Sequence, residues 1–582
     1  MSRIPRLTGA AVTALFIALG VWYLGVPRQV ADLGSPPSDA PRRGGQVVAT
    51  VRAEPRSFNR IAVGSQSAEL LSLLTQAKLV RVNRASLELE PWLAERWESS
   101  ADGLSHTLYL RNGLRWSDGA PFTADDVTFS FTVGADSKVS VVATSLLAGG
   151  QPITATALNS TTVRVDLAGP VGPGLRVLDA LPILPRHKLE AAYTAGTFQQ
   201  AWSMQTPPAD VVGMGPFVFG AYEPGQRVVL ERNPHYWRTA ADGTRLPHLD
   251  RIVLEVVPDQ NAELLRLQAG GSDLLQDEIR SDDYVPVRRS EEQGALTLVE
   301  LGVSPAADGL WFCMKPETKK ADPRFAFVQR KEFRQALSHA VDREAFAQTV
   351  FLGAAVPVWG PITPGNREWF NPNLPRYAYS ETKAKGLLAS IGLEDRNGDG
   401  TVEDARGTEA RFTVITQRGL GWYERGLGVV AEQARKIGVR LDAAPLENGA
   451  MMQRVFACDY DAVYMRVLAT DLDPATNLDF WLSSGSAHLW NLAQKAPATE
   501  WEARIDQLMT QQAATVDPTA RRALFNDVQG VFAENVPAIY YAAPRTYSAH
   551  SVRVRGVLPS VLRPPILWNA DSLSVVDAPP AP

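Results

Sequence analysis

ARFTVITQRGLGWYERGLGVVAEQARKIGVRLDAAPL, from Ala410 to Leu446, changes its hydrophobic period twice. ARFTVIT reads as a strand, Glu424–Ile437 repeats its apolar residues at helical spacing until Gly438 closes the helix, and Val439–Ala443 reads as a second strand. A strand, helix and strand of this length form a βαβ crossover, which requires a parallel sheet with both faces covered. Ligands of such sheets sit beyond the carboxyl ends of the strands. The segment leaving the first strand, Gln417-Arg418-Gly419-Leu420-Gly421-Trp422, is therefore the first candidate binding loop. Arg418 and Trp422 are its candidate ligand contacts; the competing reading is a glycine-rich connector with a surface tryptophan.

Outward from this unit the chain stays mixed α/β. Phe333, Ala336, Leu337, Ala340 and Val341 recur at helical spacing, and Asp342 is placed to N-cap a second helix that Gly353 ends. Gln46–Arg52, His106–Leu110, Thr162–Leu167, Val228–Glu231 and Arg251–Val257 read as strands, Ala68–Leu79 as an amphipathic helix, and Asn112-Gly113 and Asp118-Gly119 as turns. The 582 residues hold 45% hydrophobic and 21% charged side chains, values of a folded chain with three or four domain-sized units. A net charge of −5 with no basic block argues against a nucleic-acid partner. Two cysteines, Cys313 and Cys458, exclude a disulfide scaffold and any four-cysteine metal site, while leaving open a single bridge in an oxidising compartment.

The N-terminus reads differently. Arg3 and Arg6 precede an uncharged run from Leu7 to Pro27, about 20 residues and enough for a helix to span a bilayer core. It is either an uncleaved anchor or a long signal segment, and both export the remainder of the chain. Residues 32–43 form a Pro/Ser tether.

Tools for catalysis are missing from the pattern. The seven histidines are scattered without HExxH spacing, and there is no nucleophile elbow, Walker loop or GxGxxG. Ser380-Glu381-Thr382-Lys383 fits S-x-x-K, yet it opens a helix, where serine is a preferred N-cap. Asp395, Asn397 and Asp399, with Gly400, match the first half of a calcium loop, but its twelfth position is Arg406, and an Asx/Gly turn accounts for the same residues. No cofactor is expected.

One stretch carries a family likeness. EPWLAERWESSADGLSHTLYLRNGLRWSDGAPFTADDVTFSF (Glu90–Phe131) closely resembles the signature of the family 5 extracellular solute-binding proteins, the oligopeptide/dipeptide-type receptors of ABC importers. GMGPFVFGAYEPGQRVVLERNPHYW (Gly213–Trp237), FRQALSHAVDREAFAQTVFLGAAVPVWGPITP (Phe333–Pro364) and DRNGDGTVEDARG followed by RFTVIT resemble further blocks of that family in its order. The resemblance implies an α/β, two-lobed clamshell of the periplasmic-binding-protein type II, cluster C, with an extra domain inserted in lobe one. It implies the boundaries too: signal or anchor 1–31, linker 32–43, lobe one 44–90, 205–304 and 541–582, inserted domain 91–204, and lobe two 305–540. It further implies a monomeric periplasmic receptor, tethered or secreted, that encloses an oligopeptide or similar small solute and hands it to a permease with its ATPase, without catalysis. A tethered sensor or scaffold uncoupled from transport is the alternative.

At residue level, Asp471 falls where peptide-binding members of that family hold the ligand's ammonium group, and Arg466 stands where they carry Gly-Trp. Trp311, Trp422 and Trp490, of 14 tryptophans, lie on lobe-two segments able to face a cleft, where rigid aromatic surface suits varied ligands.

Overall fold

The computed structural model describes residues 42–470 and 473–576. The expected anchor, the first part of the tether and Asp471 lie outside the described residues. Among the described residues, no helix is long and apolar enough to cross a membrane.

Twelve strands form one continuous sheet: β1 Gln46–Val51, β2 Phe217–Glu223, β3 Arg227–Arg232, β4 Arg251–Val256, β5 Leu274–Leu275, β6 Thr297–Val303, β7 Ala307–Phe312, β8 Ala355–Pro357, β9 Arg411–Gln417, β10 Arg440–Leu446, β11 Ala462–Val467 and β12 Ala538–His550. Their spatial order is β2-β3-β4-β1-β5-β12-β7-β11-β9-β10, with β6 and β8 also paired to β12. The helices between residues 331 and 535 include α1 Lys331–Ala340, α2 Arg343–Phe351, α3 Gly421–Arg435, α4 Asn448–Ala457, α5 Glu500–Ala514 and α6 Pro518–Asn535.

The βαβ unit forms as its periods dictate. β9 and β10 pair in parallel from Arg411↔Arg440 to Gln417↔Leu446. α3 starts at Gly421, earlier than the periodicity suggests, because its first turn uses the loop residues Trp422 and Tyr423. Asp342 does N-cap α2, accepting from the amides of Glu344 and Ala345, and Ser380 N-caps the helix Glu381–Ser390 through the amide of Lys383. Thr123 and Asp126 close a capping box at the start of Ala124–Ala135.

Two large hydrophobic cores follow from this sheet. One gathers side chains from Ala307 to Ala543; the other joins Val47, Leu254 and Leu274 to Ile566 and Leu573 from the tail. Residues 91–204 carry their own four-stranded sheet, Ala94–Ser99, Ser105–Leu110, Thr162–Asp166 and Thr154–Asn159. Their apolar side chains nevertheless belong to that second core, shared with β1, β4 and the tail. β12 connects the two halves. Ala538–Ala542 pairs with β7 and Ala542–Pro544 with β8, whereas Arg545–His550 pairs with β6. The change of partners thus falls inside a single strand.

Cys313, just past β7, and Cys458, just past α4, form a disulfide with Cα atoms 5.8 Å apart. It closes a loop of 145 residues within the lobe-two core.

Candidate functional site

β9 runs parallel to both β10 and β11, so Gln417, Leu446 and Val467 end along one edge of the sheet. β7 runs antiparallel to β11 and begins at that same edge, placing Asp308 directly across from Arg466. Asp308 is fully buried and accepts from Arg466 Nε at 2.7 Å and from the Tyr464 hydroxyl at 3.1 Å. The backbone N–H of Arg466 donates to the Tyr423 hydroxyl at 3.0 Å. Burial alone would lower the pKa of Arg466, but the Asp308 carboxylate overrides it and the net shift is upward. Tyr464 is pushed well above the ordinary tyrosine range, first by burial and then by the same carboxylate. The guanidinium of Arg466 therefore stays charged, with 22% of its side chain exposed. A glycine makes the assembly possible: a Cβ on Gly426 of α3 would collide with the Tyr464 hydroxyl.

Trp422 is half-buried, its ring edge-on to Tyr423 at 5.8 Å, and its Nε1–H is buried without an acceptor. Arg418 projects outward with 62% of its side chain exposed, donating to the Pro445 carbonyl and standing 3.9 Å from Glu447. Facing this edge from the other half is the turn Ser281–Asp283, whose Asp282 accepts from Arg425 of α3 at 2.6 Å. A second crossing joins Arg176 to Glu368 at 3.0 Å, and the amide of Gly172 donates to the Ala513 carbonyl at 2.7 Å. The two halves thus touch at two separate places, one of them beside the strand ends.

Other sequence-based candidates fall elsewhere. Trp311 and Trp490, expected at a cleft, are core residues at 1% and 2% exposure. Side chains alternate along β7, so Trp311 takes the sheet face opposite Asp308, and both faces are covered. Trp490 is boxed by Phe480, Phe532 and His488 and donates to Glu502 at 3.3 Å. Asp473, after the undescribed residues 471 and 472, makes a buried two-pronged pair with Arg521 at 2.7 and 2.8 Å and caps the turn Pro474–Thr476. That pair fixes the far end of the loop that leaves β11.

The calcium candidates are turn braces. Asp395 accepts from the amides of Gly398 and Gly400, Asp399 from Thr401, and Asn397 donates to Asp399. Arg406, at the twelfth position, pairs with Asp404. No three metal-binding side chains converge among the described residues.

Sequence reasoning named Arg466 and missed its partner. The available signal was an acid inside the apolar run Ala307–Met314, where a charge needs a buried counterpart.

The sequence profile of the bacterial extracellular solute-binding proteins, family 5, matches residues 88–488. A probable ABC transporter-binding protein of Deinococcus radiodurans is 26% identical over 516 residues, covering 85% of this chain and 86% of that protein. The oligopeptide-binding protein AppA of Bacillus subtilis is 28% identical over 438 residues, covering 73% and 74%. Among solved structures, the ABC transporter substrate-binding protein CtaP of Listeria monocytogenes aligns with a TM-score of 0.75 at 22% identity, over 92% of this chain and 100% of that one.

Proposed function

From the premise that the chain belongs to the family 5 bacterial extracellular solute-binding proteins, we propose that it receives an oligopeptide or similar small solute between its lobes. It then delivers the solute, unchanged, to an ABC permease driven by a separate ATPase. The observation that carries this reading is the charged Arg466–Asp308 pair at the strand ends, where the second half of the molecule closes over it through Asp282 and Arg425. Ligands of open α/β sheets lie at such ends. The exposed part of Arg466 offers donors to a carboxylate or to peptide carbonyls, and Trp422 offers an aromatic face with an unpartnered N–H. Arg418 reaches the same edge, and Asp471 supplies a carboxylate for an ammonium group. The receptor works as a periplasmic monomer, held at the inner membrane by its N-terminal segment. Its similarity to the oligopeptide-binding protein AppA supports the peptide class.

A thermal-shift screen of short peptides, oligosaccharides and metal chelates tests the proposal. Mass action predicts that a true ligand at 100 times its Kd adds about 2.7 kcal/mol, a clear rise in melting temperature. A screen in which no peptide shifts the transition while a sugar or chelate does would sink the peptide assignment.

A further inference from the structure

A groove of about 580 Å³ opens on lobe one, away from the strand ends, between residues 111–115 of the insertion and residues 235–245. That volume lies within the range of small-molecule sites. Four arginines line it. Arg238 is neutralised by the buried Asp571, but the other three are held by backbone carbonyls instead of carboxylates. Arg111 donates to the Trp92 carbonyl at 2.7 Å, Arg115 to Gly119 at 2.9 Å and Arg245 to Pro234 at 3.1 Å. Against these three charges the lining sets one carboxylate, Glu95, at an irregular register in its strand. Such a concentration of positive charge is unexpected on a chain of net charge −5.

The floor is aromatic. The guanidinium of Arg111 lies 4.8 Å from the centre of the Trp237 ring, and Trp237 packs edge-on against Trp92 at 5.3 Å. Stacking and carbonyl bonds fix the guanidinium planes before any ligand arrives, and this lowers the ordering cost of binding. The Trp237 Nε1–H is buried without an acceptor, a donor still to be satisfied. Guanidinium groups recognise phosphate oxygens by paired hydrogen bonds, and an indole floor suits an organic body beside the charge.

We propose that this groove is a second binding site, separate from the solute cleft, for a phosphate-type oxyanion. The oxyanion is borne either by a soluble molecule or by a lipid headgroup. The full chain is titrated calorimetrically with inorganic pyrophosphate. In parallel it is floated with phosphatidylglycerol vesicles against phosphatidylcholine vesicles. Pyrophosphate binding identifies a soluble anion, and phosphatidylglycerol-selective flotation without it identifies a headgroup. In either case the double variant Arg115→Gln/Arg245→Gln weakens binding by at least about tenfold, the scale of lost charge-assisted hydrogen bonds. Its melting temperature stays unchanged, because both side chains are exposed. Glu95→Gln tightens binding, a gain that structural damage cannot mimic. The proposal is overturned if neither probe binds, or if both sets of substitutions leave the affinity at its original value.

Discussion

Asp308→Ala would leave the Arg466 guanidinium facing a buried void where a carboxylate, itself held by the Tyr464 hydroxyl, now accepts from it. Removing one partner of a buried ion pair costs about 3–5 kcal/mol, because the remaining charge stays desolvated. The variant is therefore expected to unfold at markedly lower urea, whereas Asp308→Asn, whose amide oxygen can still accept from Arg466 while its NH2 donates to the Tyr464 hydroxyl, loses less. Equal midpoints for the wild type and Asp308→Ala would show that the pair does not hold β7 to β11. Glu502 gives a pH-dependent case. Burial acts to raise its pKa, but hydrogen bonds from His488, Gln494 and Thr499 bring it below its usual 4.5. A carboxylate depressed by folding contributes stability that is present above the unfolded pKa and lost as pH falls through the folded one. Glu502→Gln should thus cost stability at pH 7, and the difference from wild type should shrink once the pH drops below about 4.5. A gap that stays constant down to acid pH would contradict this. Arg466 was legible in the sequence, and Asp308 stood out as an acid in an apolar run, but their pairing was not, since 158 residues separate them and cross-strand register is set by the fold.

At the level of elements, the βαβ unit was readable because both of its periods are local. The starts of α3 and β10 were misplaced by one to three residues, as happens when a loop residue such as Trp422 joins the first turn. The family resemblance puts the passage from lobe two to lobe one at 540/541, inside β12, but no local pattern marks a crossing there. Ala538–His550 is one strand, buried along most of its length, and neither pattern nor composition marks where its partners change from β7 and β8 to β6. Trp311 and Trp490 were misassigned because an aromatic on a strand or loop carries no mark of which face it takes. The Cys313–Cys458 bridge, open at the sequence level, closes so long a loop that chain entropy alone assigns it about 5 kcal/mol. Reductant, or Cys313→Ser with Cys458→Ser, should lower the melting temperature by several degrees. An unchanged transition would mean that the lobe-two core is stable without its cross-link.

On the scale of the whole molecule, one sheet runs through two hydrophobic cores, and the halves meet at two separate places, Arg425–Asp282 and Arg176–Glu368. The ion pairs at these meeting points, Arg425–Asp282 and Arg176–Glu368, are partly exposed, so each contributes at most about 1 kcal/mol. Closure that depends on such weak contacts can be governed by a ligand, because a modest difference in affinity between open and closed states shifts the balance. Hydrogen exchange on the full chain, with and without the peptide that most raises its melting temperature, reads both sides of the seam in one measurement. The account predicts slower exchange on ligand binding in residues 417–423 and 464–470 of lobe two and, together with them, in residues 276–284 of lobe one. Protection confined to one lobe, or no protection at the strand ends, would contradict enclosure of the solute between the lobes.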